Sequence, residues 1–401
     1  MARKFFAMFS CGKTRILKRA QYFRAYFIWI LFAVFLSASF YNFRNLKNDK
    51  IDLSSKEIFL VGQNGQGKSN ILESLYYCAY GNSFRTHADS EIVKNGEKEF
   101  SVRSLYQEDL GETRSVKIFF GEGKKRIEKN GKQIRDRKEL INTMPCILFC
   151  HDDLRFVEGQ PSDRRFFLDQ SLSMYDVLYI DLSRRYKQAL KNRNVLIKEK
   201  KTSMIEMYDI PLVQNGLEIQ KQRKLALFKF NEIFTRLYEK VTEIDGVSIS
   251  YEPSWKEFGE GFSARIPDEN EILDLLKKNR ERDFLMGTTL SGPHRDKIQF
   301  VRNGKNFVPI ASMGQRRLIA LLLRVSQAVF YSQTIKKKPV LLMDDVLLEL
   351  DPEKRQMVTS LLPEYEQLFC TFLPGEPYER YKRSTTKIFC VKNGEWNESE
   401  K

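Results

Sequence analysis

The sequence predicts an α/β fold, a mixed β-sheet with flanking helices that a helical insertion interrupts. Three observations carry that prediction. The short apolar run Glu57-Ile58-Phe59-Leu60-Val61 leads straight into a glycine-rich loop and then into residues with helical apolar spacing. A second apolar run, Val340-Leu341-Leu342-Met343, ends in the adjacent acids Asp344-Asp345. From Pro161 to about Ile244 the chain reads as helix-rich, with heptad-like apolar positions and heavy basic decoration over Arg164–Glu199. Short apolar runs bounded by turn residues read as buried strands, and a period near 3.6 residues reads as helix.

Composition sets outer limits. The chain has 401 residues, 42% apolar and 30% charged. This ordinary globular usage excludes wholesale disorder and collagen-like or multi-span membrane classes. The balance of 67 basic and 52 acidic residues gives +15; the first 33 residues hold seven of the bases and no acid, leaving +8 on the rest. Such an excess permits a polyanionic partner without requiring one. The six cysteines make no C-x-x-C pair and no zinc spacing. Cys146 and Cys150, beside His151, read as buried strand residues rather than a metal site. This usage fits a reducing compartment and a cytoplasmic protein.

The N-terminus reads as follows. Residues 25–36 are unbroken apolar, follow a basic stretch and precede small residues, a signal-like pattern. From Val34 onward, however, the chain reads as the first strand of the fold, with a second strand-like piece at Lys50–Leu53. What remains is about ten apolar residues, too few for the roughly 20 of a spanning helix. Residues 1–33 are expected to be a nonessential extension, with no stable membrane association; the competing reading is a peripheral membrane anchor.

Gly62-Gln63-Asn64-Gly65-Gln66-Gly67-Lys68-Ser69 fits the phosphate-binding pattern G-x-x-x-x-G-K-[ST]. The context it needs is present: a strand before, and after it the helical pattern of Asn70–Tyr80, with Ile71, Leu72, Leu75, Tyr76 and Ala79 on one face. Glycines let successive N–H groups turn toward phosphate oxygens, and a helix N-terminus adds positive potential. Lys68 is expected to reach the β- and γ-phosphates of ATP, and Ser69 to ligate Mg²⁺. Asp344-Asp345 is the matching second half: Asp344 as Mg²⁺ ligand, Asp345 as the catalytic base that orients and deprotonates water. Adjacent carboxylates ending a buried strand are costly without a cation.

Upstream, Ser312-Met313-Gly314-Gln315 opens an apolar helix over Leu318–Tyr331. Alone, S-x-G-Q reads as a helix cap. Between a P-loop and a Walker B strand it is the signature of ABC-type ATPases, and the fold becomes an ABC-type ATPase head. In that class Ser312, Gly314 and Gln315 would act in trans, on the γ-phosphate held by a second subunit, so the active form would be an ATP-dependent homodimer. Asp351, ahead of Pro352, fits a helix cap and the D-loop.

Further segments resemble the RecF family of bacterial recombinational-repair ATPases, from about Phe35 to the C-terminus. They are Asn42-Phe43-Arg44-Asn45, the P-loop with its helix, Ser83-Phe84-Arg85, Pro161–Asp169, and Gly292-Pro293-His294-Arg295-Asp296, together with the signature, Walker B and D-loop segments. The resemblance implies an ATP-dependent binder of duplex and gapped or single-stranded DNA. It would serve repair, replication fork maintenance and the SOS response, with RecR and RecO as partners and slow, DNA-dependent hydrolysis. Departures are Met313 where glutamine is common, His151 ahead of Asp152, and no switch histidine in Leu368–Phe372. The 1–33 extension has no counterpart in the family.

Residues 34–160 and 285–401 are thus expected to form the head, and 161–284 a helix-rich insertion. Within it, Asp209-Ile210-Pro211 is expected to break one helix from the next. Residues 83–130 read as meandering strands with turns at Asn95-Gly96 and Asn130-Gly131. Basic clusters at Lys124–Arg126, Arg184–Lys187, Lys191–Arg193 and Lys198–Lys201 read either as solvated faces or as a phosphate-tracking surface. Two competing functions remain: an ATPase subunit of a membrane transporter, opposed by the helical insertion, and a non-hydrolysing chromosome scaffold, opposed by Asp345.

Overall fold

Two sheets build the head. The computed structural model describes residues 34–107, 111–141, 143–202, 204–256, 267–347 and 350–399. The expected 1–33 extension and Glu349 lie outside these described residues. Strand β1 (Val34–Tyr41) pairs antiparallel with β2 (Lys50–Asp52), where the residues predicted a first and second strand. β3 (Glu57–Val61) is buried at every position, the mark of a strand covered on both faces. Helix α1 (Lys68–Tyr80) follows it.

The chain then forms an antiparallel meander: β4 (Phe100–Gln107), β5 (Thr113–Gly121), β6 (Lys124–Lys129) and β7 (Lys132–Ile134). The first sheet has the order β2-β1-β4-β5-β6-β7. Burial alternates strictly along β4, so one face is a core face and the other meets solvent. The inward residues Val102, Tyr106, Val116 and Ile118 share a core with Ile71, Leu72 and Leu75 of α1. The expected strands between residues 83 and 99 do not form. That segment holds a short 3-10 turn at Asp89–Ile92 and the single bridge Phe43–Val93. Side chains tie it down in place of a ladder: Ser83 donates to Glu73, Arg85 to Asn70, and Thr86 to Glu91.

After the short helix α2 (Lys138–Ile141) comes β8 (Cys146–Cys150), four of its five residues buried, which fits the reading of Cys146 as a strand residue. Helices α3 (Arg155–Glu158), α4 (Pro161–Tyr175), α5 (Val177–Lys198) and α6 (Glu206–Thr242) follow. Asp176 separates α4 from α5: its N–H closes the last turn of α4 on Leu172, and its carboxylate caps α5 at Leu178. The break expected at Pro211 does not occur. α6 begins at Glu206 and runs through the proline. The carbonyl deprived of a partner is that of Met207, an exposed residue, while Leu212 and Val213 next to the ring are fully buried. The contacts Arg185–Asn215 and Arg193–Asp209 show that α5 and α6 run antiparallel.

β9 (Val247–Glu252), helices α7 (Glu269–Lys278) and α8 (Arg280–Met286), then β10 (Lys297–Arg302) and β11 (Lys305–Asn306) complete the middle. The sheet β11-β10-β9 pairs residues from both sides of position 285. Two buried charge centres hold this region. Arg223 of α6 bonds Asp169 and Asp296, and Asp296 also accepts from Gln220, Tyr251 and the Ser254 N–H. Arg193 bonds Asp209, Asp283 and Thr289.

The chain returns through α9 (Met313–Ile335), β12 (Val340–Asp344), α10 (Pro352–Ser360), β13 (Gln367–Phe372), β14 (Thr386–Lys392) and β15 (Glu395–Glu398). The second sheet has the order β15-β14-β3-β13-β12-β8, parallel except for the edge strand β15. α9 is long and apolar enough to cross a membrane by length and composition, yet 72% of its most apolar window is buried inside this protein.

Candidate nucleotide site

In an open parallel sheet, ligands bind beyond the carboxyl ends of the strands. Here β3 delivers the P-loop to that edge, β12 delivers Asp344 and Asp345, and β13, lying between them, delivers Thr371. Ser69, the second residue of α1, donates its hydroxyl to Asp344 Oδ1 at 2.8 Å. The two expected Mg²⁺ ligands therefore meet although they lie 275 residues apart.

The loop's own sequence shapes it. Gly62 is buried, and a Cβ there would come within 2.3 Å of the Val391 carbonyl of β14. Gly67 holds φ at 115°, a conformation that L side chains rarely adopt, just where α1 begins. Gln63, Asn64 and Gly65 are exposed and form the rim. Lys68 is 3% exposed, and its ammonium donates to the carbonyls of Gly62 at 2.7 Å and Gln63 at 3.2 Å. Gln66 accepts from the N–H groups of Asn393 and Gly394 in the β14–β15 turn, at 2.7 and 2.8 Å.

Asp344 and Asp345 differ in setting. Burial pushes the Asp344 carboxyl up to about 6; the neighbouring Asp345 charge adds to this, while the Ser69 hydroxyl counters it. Asp345 adopts a left-handed conformation, φ 54°, one that aspartate tolerates better than most residues. Thr371 clamps it: the Asp345 N–H donates to Thr371 Oγ1 at 2.8 Å, and that hydroxyl donates to Asp345 Oδ1 at 2.6 Å. Sequence reasoning passed over Thr371, noting only that its strand lacks a histidine. The available signal was one hydroxyl interrupting an otherwise apolar, buried run.

A web of side chains missed in the sequence braces the P-loop helix. Arg44 makes two bonds to the fully buried Glu73, at 2.7 and 2.9 Å. Asn45 donates to the Gly65 carbonyl and accepts from Asn70, which in turn accepts from Arg85. The N-F-R-N and S-F-R segments thus converge on Glu73 and Asn70 of the P-loop helix.

The donor set of Ser69 hydroxyl and Asp344 carboxylate suits a hard cation. Mg²⁺ commonly takes one or two protein oxygens, its remaining positions going to water and substrate phosphate. A part-buried carboxylate beside a second carboxylate, whose side-chain hydrogen bonds come from hydroxyls, is the electrostatic setting such a cation would relieve.

The signature residues lie apart. Ser312 and Gln315 form a reciprocal cap at the start of α9: Gln315 N–H to Ser312 Oγ at 3.3 Å, and Ser312 N–H to Gln315 Oε1 at 2.8 Å. Ser312 and Gly314 are exposed, and no heavy atom lies within 4 Å of where a Gly314 Cβ would stand. Among the described residues, no hydrogen bond joins Ser312, Gly314 or Gln315 to the P-loop. Asp351 caps α10 through the Lys354 N–H at 2.9 Å. Midway along the signature helix, buried Arg324 bonds Asp153 at 2.6 Å, beside the last residue of β8.

The sequence clusters of bases are neutralised in part. Arg193 is fully buried, Lys125 pairs with Asp89, Arg184 with Asp136 and Asp181, and Lys201 with Glu199.

Comparison with known proteins agrees with this geometry. The RecF/RecN/SMC N-terminal domain family model matches residues 37–397. The DNA replication and repair protein RecF of Treponema pallidum is 50% identical over 359 residues, covering 89% of this chain and 99% of that protein. A solved RecF–ATP structure, described as the recombination mediator of the RecFOR pathway, superposes with a TM-score of 0.81 at 27% identity, covering 92% and 98% of the two chains. The Smc head domain of Pyrococcus furiosus shares the fold, with a TM-score of 0.53 at 17% identity over 92% and 96%. With a phosphate-binding loop and an acid pair on one sheet edge, a capped signature elsewhere, and half of 359 aligned residues shared with a RecF protein, the chain belongs to the RecF family.

Proposed function

We propose that this chain is an ATP-dependent DNA-binding protein that closes into a homodimer on ATP and opens after slow hydrolysis. The observation that carries this reading is the separation of the site into two halves. Lys68, Ser69, Asp344 and Asp345 gather at one edge, while Ser312 and Gly314 lie exposed and unconnected to them. A second copy supplies the missing half most simply. The large apolar residues Ile310 and Met313, 75% and 52% exposed, flank Ser312 and would be covered in such a dimer.

Within the composite site each residue has one task. The P-loop N–H groups and Lys68 hold the triphosphate. Ser69 and Asp344 would hold Mg²⁺, which neutralises charge on the phosphates. Asp345, oriented by Thr371, takes the proton from the attacking water. The partner copy's signature, with the N-terminus of α9, offers donors to the γ-phosphate. The relatives' names, DNA replication and repair protein RecF, support a role in DNA replication and repair, and a cytoplasmic location belongs to the same reading. Gapped DNA, fork maintenance and the SOS response, with RecR and RecO as partners, extend the same reading. The transporter alternative is opposed by the helical insertion and by 50% identity over 359 residues to a RecF protein; the apolar N-terminus that favoured it lies outside the described residues.

The test is Ser312→Arg, examined by sedimentation with ATP and Mg²⁺. The variant is expected to bind ATP through Lys68 as a monomer and to lose dimerisation, ATP-dependent DNA binding and hydrolysis. Hydrolysis at the normal rate by a monomeric variant would remove the shared-site mechanism.

A further inference from the structure

The strand register assembles a surface that the sequence does not display. On the solvent face of the first sheet, Lys50 of β2, Ser39 of β1, Arg103 of β4, Lys117 of β5 and Glu128 of β6 stand opposite one another in one row. The adjacent row runs Tyr41, Ser101, Phe119, Arg126, and Lys124 begins the next. Lys50, Arg103, Lys117, Lys124 and Arg126 are all exposed. Among the described residues none of these five has an ion-pair partner, and Glu128 is the one acid in these rows. Tyr41 is 45% exposed and Phe119 half-buried, so aromatic faces interleave with the cations.

We propose that this sheet face is the surface on which the protein tracks the sugar–phosphate backbone of DNA. Three arguments select that occupant. Neighbouring strands lie about 4.8 Å apart, so a row of outward cations spans a width matched to phosphate repeats rather than to a single small anion. Unpaired lysine and arginine on a flat face, with seryl hydroxyls and aromatic rings among them, are what sequence-independent nucleic-acid binding requires. Within the sequence cluster Lys124–Arg126, the inward Lys125 is taken by Asp89, while Lys124 and Arg126 stay exposed on this face. Residues 1–33 are no competitor for this face, since they carry bases and no acid.

The inference rests on the DNA-binding reading above and adds where the contact is made. The test uses the full chain with ATP, Mg²⁺ and a fluorescein-labelled 30-base-pair duplex, titrated at several salt concentrations. Each phosphate contact contributes about 0.9 to the slope of log affinity against log salt. Arg103→Ala/Lys117→Ala/Arg126→Ala is expected to lower affinity by more than tenfold and to flatten the slope by about 2 to 3. ATP-dependent dimerisation should be unchanged. Glu128→Lys adds a cation to the same row and is expected to tighten binding and steepen the slope, a gain that misfolding cannot mimic. A triple variant with wild-type affinity and slope, or a Glu128→Lys protein unchanged in both, would overturn the assignment. Wild-type protein that ignores the duplex altogether would overturn the DNA-binding reading itself, a result the variants cannot produce.

Discussion

Charge is withdrawn from solvent in two parts of this molecule, fully in one and partly in the other, and the two parts treat it in opposite ways. In the middle of the chain, Arg223 is surrounded by Asp169 and Asp296, and Arg193 by Asp209 and Asp283. At the carboxyl edge of the parallel sheet, Asp344 and Asp345 stand side by side and are met by the hydroxyls of Ser69 and Thr371. The first arrangement is electrically closed and positions helices. The second is met by neutral hydrogen-bond donors, with Arg85 near enough to ease the charge on Asp344, and Mg²⁺ held by Ser69 and Asp344 would relieve it further. A buried charge with its partner present reads as architecture; a buried charge with only neutral donors reads as a site.

The sharpest way to test this contrast is Asp345→Asn. ATP binding should survive, because Lys68 and Ser69 are untouched, while steady-state hydrolysis should fall by about 10²- to 10⁴-fold. An unchanged turnover number would move the base to another residue. On the architectural side, Arg223→Met should leave two buried acids facing each other and cost about 3 to 5 kcal/mol in urea unfolding. A loss below about 1 kcal/mol, within the range of an exposed ion pair, would erase the distinction drawn here.

Acidity separates the two regions further. Asp344 keeps its proton to about pH 6 when folded, against 3.8 for an ordinary aspartate. The stabilisation from the protonated form is therefore complete below the lower value and is lost as pH rises through the higher one. Ligand-free protein should lose on the order of 3 kcal/mol from this group between pH 4 and 7. Mg·ATP affinity should move the other way, rising through pH 6 as the carboxylate becomes available. Asp344→Asn should flatten both profiles, and a variant whose thermal stability still shows the same drop would assign it elsewhere. The smallest effect is expected at Thr371. Thr371→Val removes the clamp on Asp345 and should lower turnover by about tenfold, roughly the 1.4 kcal/mol of one good hydrogen bond, with KM unchanged. Thr371→Ser should restore it; a valine variant at full rate would make the clamp incidental.

What could be read from the residues alone follows a physical pattern. The P-loop and the Asp344-Asp345 pair are contiguous strings whose chemistry demands their spacing, and both appear where the sequence puts them. The signature cap at Ser312 and the cap at Asp351 are equally local. The Arg223 centre joins residues 54 and 73 positions away, and nothing near Arg223 in the chain marks it out. Thr371 acts only because β13 lies beside β12. The Pro211 break failed because burial of its neighbours outweighs one lost hydrogen bond. The basic clusters were ambiguous for a related reason: proximity in sequence does not tell a free cation such as Lys124 from one already paired such as Lys125. The free cations of the first sheet are dispersed over four strands and come together only through register.

The grip of the β14–β15 turn on Gln66 carries a consequence for how the protein is made. On a ribosome the P-loop emerges long before Asn393 and Gly394, and at 5 to 20 residues per second the wait is on the order of 15 to 65 seconds. During that time β3 lacks its neighbours β13 and β14 on both sides. The nascent chain should therefore be unable to capture nucleotide until its last strands are released, and fragments cut short by interrupted translation would remain silent rather than bind ATP unproductively. The amino-terminal half carries the most conspicuous motif, but it is the carboxyl-terminal hairpin that gives birth to the site.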